Sequence, residues 1–197
     1  MARGKFFSGP MYEAVLSGTK TMFRGLIKPQ PTGDYHDRIA FTKRDQIFHK
    51  FDFTCGISVV PRFKVGEKIY LKEPYYTDNS DGLFADYVYG CEISDEAKTY
   101  CTIINKLFMP EKYVRHWIEI VSVKAERLND ISNDDILREG MVKTKNFSSN
   151  REWGWEEGQR DYYNARDAFA ALWDSINKKN KWETNPYVFA YEFKLIK

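Results

Sequence analysis

The sequence predicts an α+β domain, and three stretches carry that prediction. Arg115 to Leu128 holds Ile118, Ile120 and Val123 with no Gly or Pro to interrupt it, which marks a central strand. After Pro186, Tyr187, Phe189, Tyr191 and Phe193 alternate with Val188, Ala190, Glu192 and Lys194, the two-residue period of a closing strand. Between these, Ala165, Phe169, Leu172, Trp173 and Ile176 recur at helical spacing, so an amphipathic helix is expected over 161–177. At 197 residues the chain is long enough for one sizeable core, and a single domain over 1–197 with insertions near 35–62 and 143–160 is expected.

The remaining elements follow in chain order. Met11, Ala14, Val15 and Leu16 share one face of a short helix that Gly18 stops, leaving the polar turn Gly18-Thr19-Lys20-Thr21. Pro29, Pro31 and Gly33-Asp34 make 28–34 a loop. Short strands or an ordered insertion fill 35–62, and a turn at Val65-Gly66-Glu67 leads into a half-buried strand over 68–73, ended by Pro74. Turn formers occupy 78–82 and a further strand is expected within 84–93. Ser132 with Asp135 three residues on starts a short helix that buries Ile136 and Leu137 and stops at Gly140. The glycines and charges of 147–158 suit an exposed loop carrying Trp153 and Trp155.

Composition narrows the function classes. A formal net charge of +2 removes the global electrostatic argument for nucleic-acid binding, so any such site must be a local patch. Cys55, Cys91 and Cys101 are odd in number and widely spaced, and His36, His49 and His116 lack ligand spacing, so neither a disulfide framework nor a metal site is expected, nor any other cofactor. Walker, Rossmann and nucleophile-elbow motifs are absent. The stretch 1–10 lacks the apolar run of a signal peptide and no later stretch approaches a membrane span, which makes a cytoplasmic location the expectation, with no membrane partner.

Four segments carry a family resemblance. They are Phe7-Ser8-Gly9-Pro10-Met11 continuing through Gly18-Thr19-Lys20-Thr21 to Arg24; Gly66-Glu67-Lys68-Ile69-Tyr70-Leu71-Lys72-Glu73; Phe108-Met109-Pro110 with Arg115 and the run Glu126 to Ser132, closed by Glu139-Gly140; and Leu172 to Asn177 with Trp182 and Asn185 to Phe189. Together they resemble ASCH-domain proteins of the PUA-like superfamily, a type common in bacterial phages and prophages. The resemblance implies a mixed β pseudo-barrel with flanking helices and a cleft lined by the Gly-x-Lys turn and the strand ending in Glu73. It implies binding of RNA or a nucleotide. Some relatives are similar to amidohydrolases acting on acetylated cytidine, and others to ribonucleases.

The candidate site residues are therefore Lys20, Thr21, Arg24, Glu73, Arg115, Trp153 and Trp155. In the turn, backbone N–H groups, two hydroxyls and the Lys20 ammonium can converge on a phosphate. Glu73 shares the side of Ile69 and Leu71, which makes it a buried carboxylate in need of a partner, with Lys20 or Arg24 expected to supply it. If the chain is an enzyme, Lys20 and Glu73 are its proton-handling pair, a hydrolase of modified nucleosides or RNA. Against the amidohydrolase form, Phe23 stands where those relatives carry a nucleophilic Thr. Arg24 and Arg115 are candidate phosphate ligands, whereas Lys28 reads as a surface charge. Trp153 and Trp155 either cover the core or offer a stacking surface, the latter suiting an adaptor for a host or phage protein.

Overall fold

The computed structural model describes residues 3–30, 38–42, 47–51, 56–73, 75–78, 88–89, 101–104, 109, 111, 114–143, 152–155 and 162–196, with backbone alone for the strands inside 38–58 and 75–104. Its centre is a five-stranded mixed sheet of β1 (Arg3–Phe6), β2 (Met22–Leu26), β6 (Lys68–Lys72), β10 (Trp117–Arg127) and β13 (Tyr187–Ile196), in the order β1-β6-β10-β13-β2. β1 runs parallel to β6 and every other neighbour is antiparallel. β10, the longest β signal in the sequence, is the middle strand, with Ile118 and Ile120 fully buried. A bulge follows Ile120, and the extra residue, Val121, is left at the surface.

β13 is buried along Val188 to Tyr191 with no alternation, because it lies between β10 and β2 and is covered on both faces. β6 likewise buries Ile69, Tyr70 and Leu71 in succession rather than alternating. The edge strands β1 and β2 leave no comparable signal in the sequence. Each is short, and each takes its conformation from one neighbour.

Among the described residues three helices flank the sheet: α1 (Gly9–Leu16), α2 (Asn133–Arg138) and α3 (Ala165–Ile176). α1 buries Met11, Tyr12 and Val15 and ends as Gly18 turns left-handed at φ 79°. The Ser132 side chain accepts from the Asp135 N–H at the start of α2, and Gly140 reverses the chain at φ 96°. Ile136 is buried as expected, but Leu137 is 41% exposed, because only one face of so short a helix meets the core. α3 begins one turn later than the sequence suggests, capped by Asn164, and buries Ala168, Phe169 and Trp173. Its last residue, Ile176, is 69% exposed.

Smaller sheets lie outside the main one. β3 (Arg38–Thr42), β4 (Ile47–Phe51) and β5 (Gly56–Val59) form an antiparallel meander where short strands are expected. β7 (Tyr75–Asp78) pairs with β8 (Val88–Tyr89) and β9 (Cys101–Ile104). β11 (Val142–Lys143) pairs with β12 (Trp153–Gly154), so the tryptophan stretch is tied down rather than a plain loop. The rest of 84–93, the turn at 79–82, Pro74 and most of 144–161 lie outside the described residues.

β1 and β2 are the two edges of the main sheet, yet their side chains meet. The ring of Phe7, one residue past β1, packs edge-on to Phe23 of β2 with centroids 5.9 Å apart. No backbone pairing joins the two strands, so among the described residues the sheet is open and not a closed barrel. The opening between these edges is where the candidate site lies.

Candidate functional site

The Gly18 reversal places Lys20 inside the protein. Its N–H donates back to the Ala14 carbonyl at 2.8 Å, and the next N–H, on Thr21, donates to the Arg138 carbonyl of α2 at 2.8 Å. Held between two helices, the Lys20 side chain is 4% exposed and its Nζ donates to Glu139 twice, to the carboxylate at 2.8 Å and to the carbonyl at 2.6 Å. Gly140 is required here: a Cβ would lie 3.4 Å from the Lys20 Cβ, at a φ that disfavours any side chain.

Arg24 extends the same network. Its guanidinium donates to Glu139 Oε1 at 2.9 Å, to Glu126 Oε1 at 2.7 and 3.1 Å, and to Asp135 at 3.2 Å. Register explains the reach. Arg24 lies opposite Ala190 on β13, and Ala190 opposite Lys124 on β10, so only a methyl group stands between Arg24 and the acids of β10. Burial works against the Arg24 charge, but Glu139 and Glu126 outweigh it and raise the pKa further. Exposed Lys124 closes the other oxygen of Glu126 at 2.8 Å. This cluster of cations and carboxylates is internally compensated and ties the α1 turn, β2, β10 and α2 together.

Glu73 is 3% exposed, the buried carboxylate that the strand alternation predicts, but its partner is neither Lys20 nor Arg24. Arg115 takes both its oxygens, at 3.0 and 2.5 Å. Antiparallel register is the reason: Trp117 lies opposite Tyr70, and Leu71 donates to the His116 carbonyl, which brings the start of β10 beside the end of β6. The Glu73 N–H points to the Met109 sulfur at 3.4 Å. Lys20 and Glu73 thus belong to two separate ion-pair systems and form no common acid/base centre.

The remaining candidates are structural in their contacts. The Thr21 hydroxyl accepts from Arg138 Nε at 3.3 Å. Phe23 is 4% exposed and stacks on Tyr191 at 4.8 Å, between Phe7 and Phe63 edges. Trp153 and Trp155 pack against the core, Trp155 stacked on Tyr162 at 6.0 Å.

Between β1 and β2 lies a groove of two lobes that share Lys5, Phe23, Gly25, Leu26 and Asn177. The first, of about 400 Å³, runs between Phe6, Phe7 and the α3 face of Phe169, Leu172, Trp173 and Ile176, with Lys20, Arg24 and Glu139 at its base. The second, of about 420 Å³, is lined by Lys28, Val60, Arg62, Phe63, Phe189 and Tyr191. Its cations are Lys5, Lys28 and Arg62, and no carboxylate lines it among the described residues. Phe6, Ile176 and Val60, at 48, 69 and 54% exposure, place apolar surface around the mouth.

Lys5 sits at the waist. Its ammonium lies 4.5 Å from the centroid of Phe23 and 5.4 Å from that of Phe7, with no carboxylate in ion-pair contact among the described residues. Burial, then the charges of Lys20 and Arg62, push its pKa from 10.5 down to about 8, against a smaller opposing pull from Glu139. The sheet edge adds main-chain groups. Ile27 N–H donates to Tyr187 and Thr21 accepts from Phe193, so the antiparallel alternation turns the N–H and C=O of Arg24 and Leu26 away from β13.

Lys5, Arg62, Glu126 and Glu139 were not among the residues that sequence reasoning selects. Glu126 and Glu139 lie inside the segments that carry the family resemblance, which was the available signal. Nothing in the local sequence marks Lys5 or Arg62. Among the described residues no group of three His, Cys, Asp or Glu side chains is placed to hold a metal ion, and no helix is long and apolar enough to cross a membrane. No family model, curated protein or solved structure matches the chain.

Proposed function

We propose that this chain binds RNA or a nucleotide in the groove between β1 and β2, as a member of the ASCH group with a pseudo-barrel whose seam is that groove. The observation that carries the reading is the division of the groove at Lys5: one lobe walled by Phe7, Leu172 and Trp173, the other lined, among the described residues, by three cations and no acid. A nucleotide has the same division, a flat ring joined to an anion. Each lobe lies within the roughly 300–1,000 Å³ typical of ligand pockets. The outward N–H and C=O groups of Arg24 and Leu26 supply the donor and acceptor that reading the edge of a base requires.

Two other readings fare worse. Strand addition by a peptide needs a continuous gap along a sheet edge, and the Lys5 side chain bridges this one. Hydrolysis by Lys20 and Glu73 needs the pair in one centre, whereas Glu139 holds the first and Arg115 the second. The test is a titration of a fluorescently labelled single-stranded oligoribonucleotide at several salt concentrations. With Lys5, Lys28 and Arg62 gathered around one backbone phosphate, the slope of log K against log salt is expected near about −0.7, the value for one phosphate neutralised on a single strand. A flat response sinks the reading for RNA.

A further inference from the structure

We infer that the second lobe is a phosphate subsite built by Lys5, Lys28 and Arg62, which fixes the polarity of a bound nucleotide with its phosphate there and its ring in the Phe7–Trp173 lobe. The inference rests on the nucleotide reading and names the chemistry of one half of the site. Its basis is the partition of charge across the groove. Lys20 and Arg24 border the first lobe, but Glu139, Glu126 and Asp135 already compensate them. Lys5, Lys28 and Arg62 have no such compensation among the described residues, and all three line the second lobe. The Arg62 charge disfavours that of Lys5, Lys28 lines the same lobe of about 420 Å³, and a dianionic phosphate is a compact group that can pair with all three at once.

The side chains are also positioned for it. Arg62 lies over the Phe63 ring at 5.2 Å, and its backbone N–H donates to the Tyr191 hydroxyl at 3.0 Å, which fixes the root of the arginine at the lobe wall. Lys5 is held over Phe23 and extends from the opposite edge of the sheet. A ring in the first lobe would therefore be joined to its phosphate across Lys5.

Phosphate binding should also draw a proton onto Lys5. The charged or titratable groups around it are Lys20 after α1, Arg24 and Lys28 from β2 onward, Arg62 after β5, Glu139 at the end of α2 and Tyr191 of β13. Tyr191 is pushed up to about 12 by burial and stays neutral, so cations dominate the surroundings of Lys5. At pH 8.5 an amine that titrates near 8 is about a quarter charged. An adjacent dianion that restores an ordinary lysine value raises this to nearly full charge, an uptake of about 0.7 proton.

Two measurements on the intact chain test the subsite. In the first, NMR titration of the Lys5 ammonium with and without inorganic phosphate should show its midpoint moving up by one pH unit or more. In the second, calorimetry at pH 8.5 in buffers of different ionisation enthalpy compares the four nucleoside monophosphates with their nucleosides. Each monophosphate should bind at least tenfold more tightly than its nucleoside with the stated proton uptake, and Lys5→Met or Arg62→Gln should bring the ratio of the two affinities to about one. Equal binding of nucleoside and monophosphate, with no response of Lys5 to phosphate, overturns the subsite and leaves the ring-binding reading standing. A Lys5 response to phosphate with no binding of nucleosides, monophosphates or the oligoribonucleotide supports the subsite and removes the nucleotide reading instead. No response and no binding removes both.

Discussion

Glu139→Gln tests whether the buried charge cluster is a clamp. Glu139 gives one carboxylate oxygen to Lys20 at 2.8 Å and the other to Arg24 at 2.9 Å, with the two cationic side chains 4% and 1% exposed. A glutamine has one acceptor oxygen, so its NH2 must face either Lys20 or Arg24, and donor meets donor. Arg24 keeps Glu126 and Asp135, while Lys20 keeps only the Glu139 carbonyl. Removing one partner of a buried ion pair costs about 3–5 kcal/mol, and this geometry places the loss in that range. Against a total of roughly 5–15 kcal/mol for a domain, such a loss is large. Urea unfolding followed by tryptophan fluorescence, with Trp173 buried at 5% exposure beside the groove, gives the change in midpoint at constant m. Adding Lys20→Met to Glu139→Gln removes the stranded cation and should return at least ~1 kcal/mol. A loss below ~1 kcal/mol for Glu139→Gln, with no recovery in the double variant, would mean that water already solvates the cluster and that the burial argument fails.

Three further outcomes are expected. Phe23→Thr removes a ring packed against Phe7, Phe63, Tyr191 and Phe193 and should cost about 3–5 kcal/mol by thermal or urea unfolding, so it gains no hydrolysis of acetylated cytidine; native protein should show none either, and activity in a product assay would contradict this. Lys5→Met should stabilise the protein at pH 7: the native charge is penalised below pH 8 and the penalty fades between about 8 and 10.5, so wild-type stability should rise across that window, by at most roughly 3 kcal/mol, and the variant should not show the rise. Arg115→Ala leaves Glu73 buried without its bidentate partner and should cost on the order of 3 kcal/mol in urea while leaving the salt slope for RNA unchanged; a shallower slope would return Arg115 to the phosphate path.

Elements that declare themselves locally were legible in the sequence. The middle strand β10, the closing strand β13, the helix α3 and the stops at Gly18 and Gly140 are written in residues a few positions apart. The edge strands were not, because Arg3-Gly4-Lys5-Phe6 has neither alternation nor β-branched residues, and only the parallel pairing with β6 makes it a strand. The same limit governs the site. Two-residue alternation correctly puts Glu73 inside, yet the identity of its partner depends on the register of β10 against β6, which no local pattern encodes. Lys20 and Arg24 were legible as unusual cations, but Glu139 lies more than a hundred residues away in sequence and meets them only through the docking of α2.

That separation bears on the electrostatic argument as well. A formal charge of +2 counts every residue equally, and on that count the chain has no preference for anions. Folding divides the cations into two sets. Lys20, Arg24 and Arg115, the ones that motif reasoning favours, are neutralised by buried carboxylates and serve the fold. Lys5, Lys28 and Arg62, which no motif marks, share a lobe that no acid lines among the described residues, so no lining carboxylate competes with an incoming anion there. A weakly charged protein can therefore carry a strongly cationic site, provided its own carboxylates are committed elsewhere. The charge-removing variants at Lys5 and Arg62 probe that partition directly, since total charge changes by one in each and only their position in the groove distinguishes them from a change at Lys124, which caps Glu126 outside both lobes.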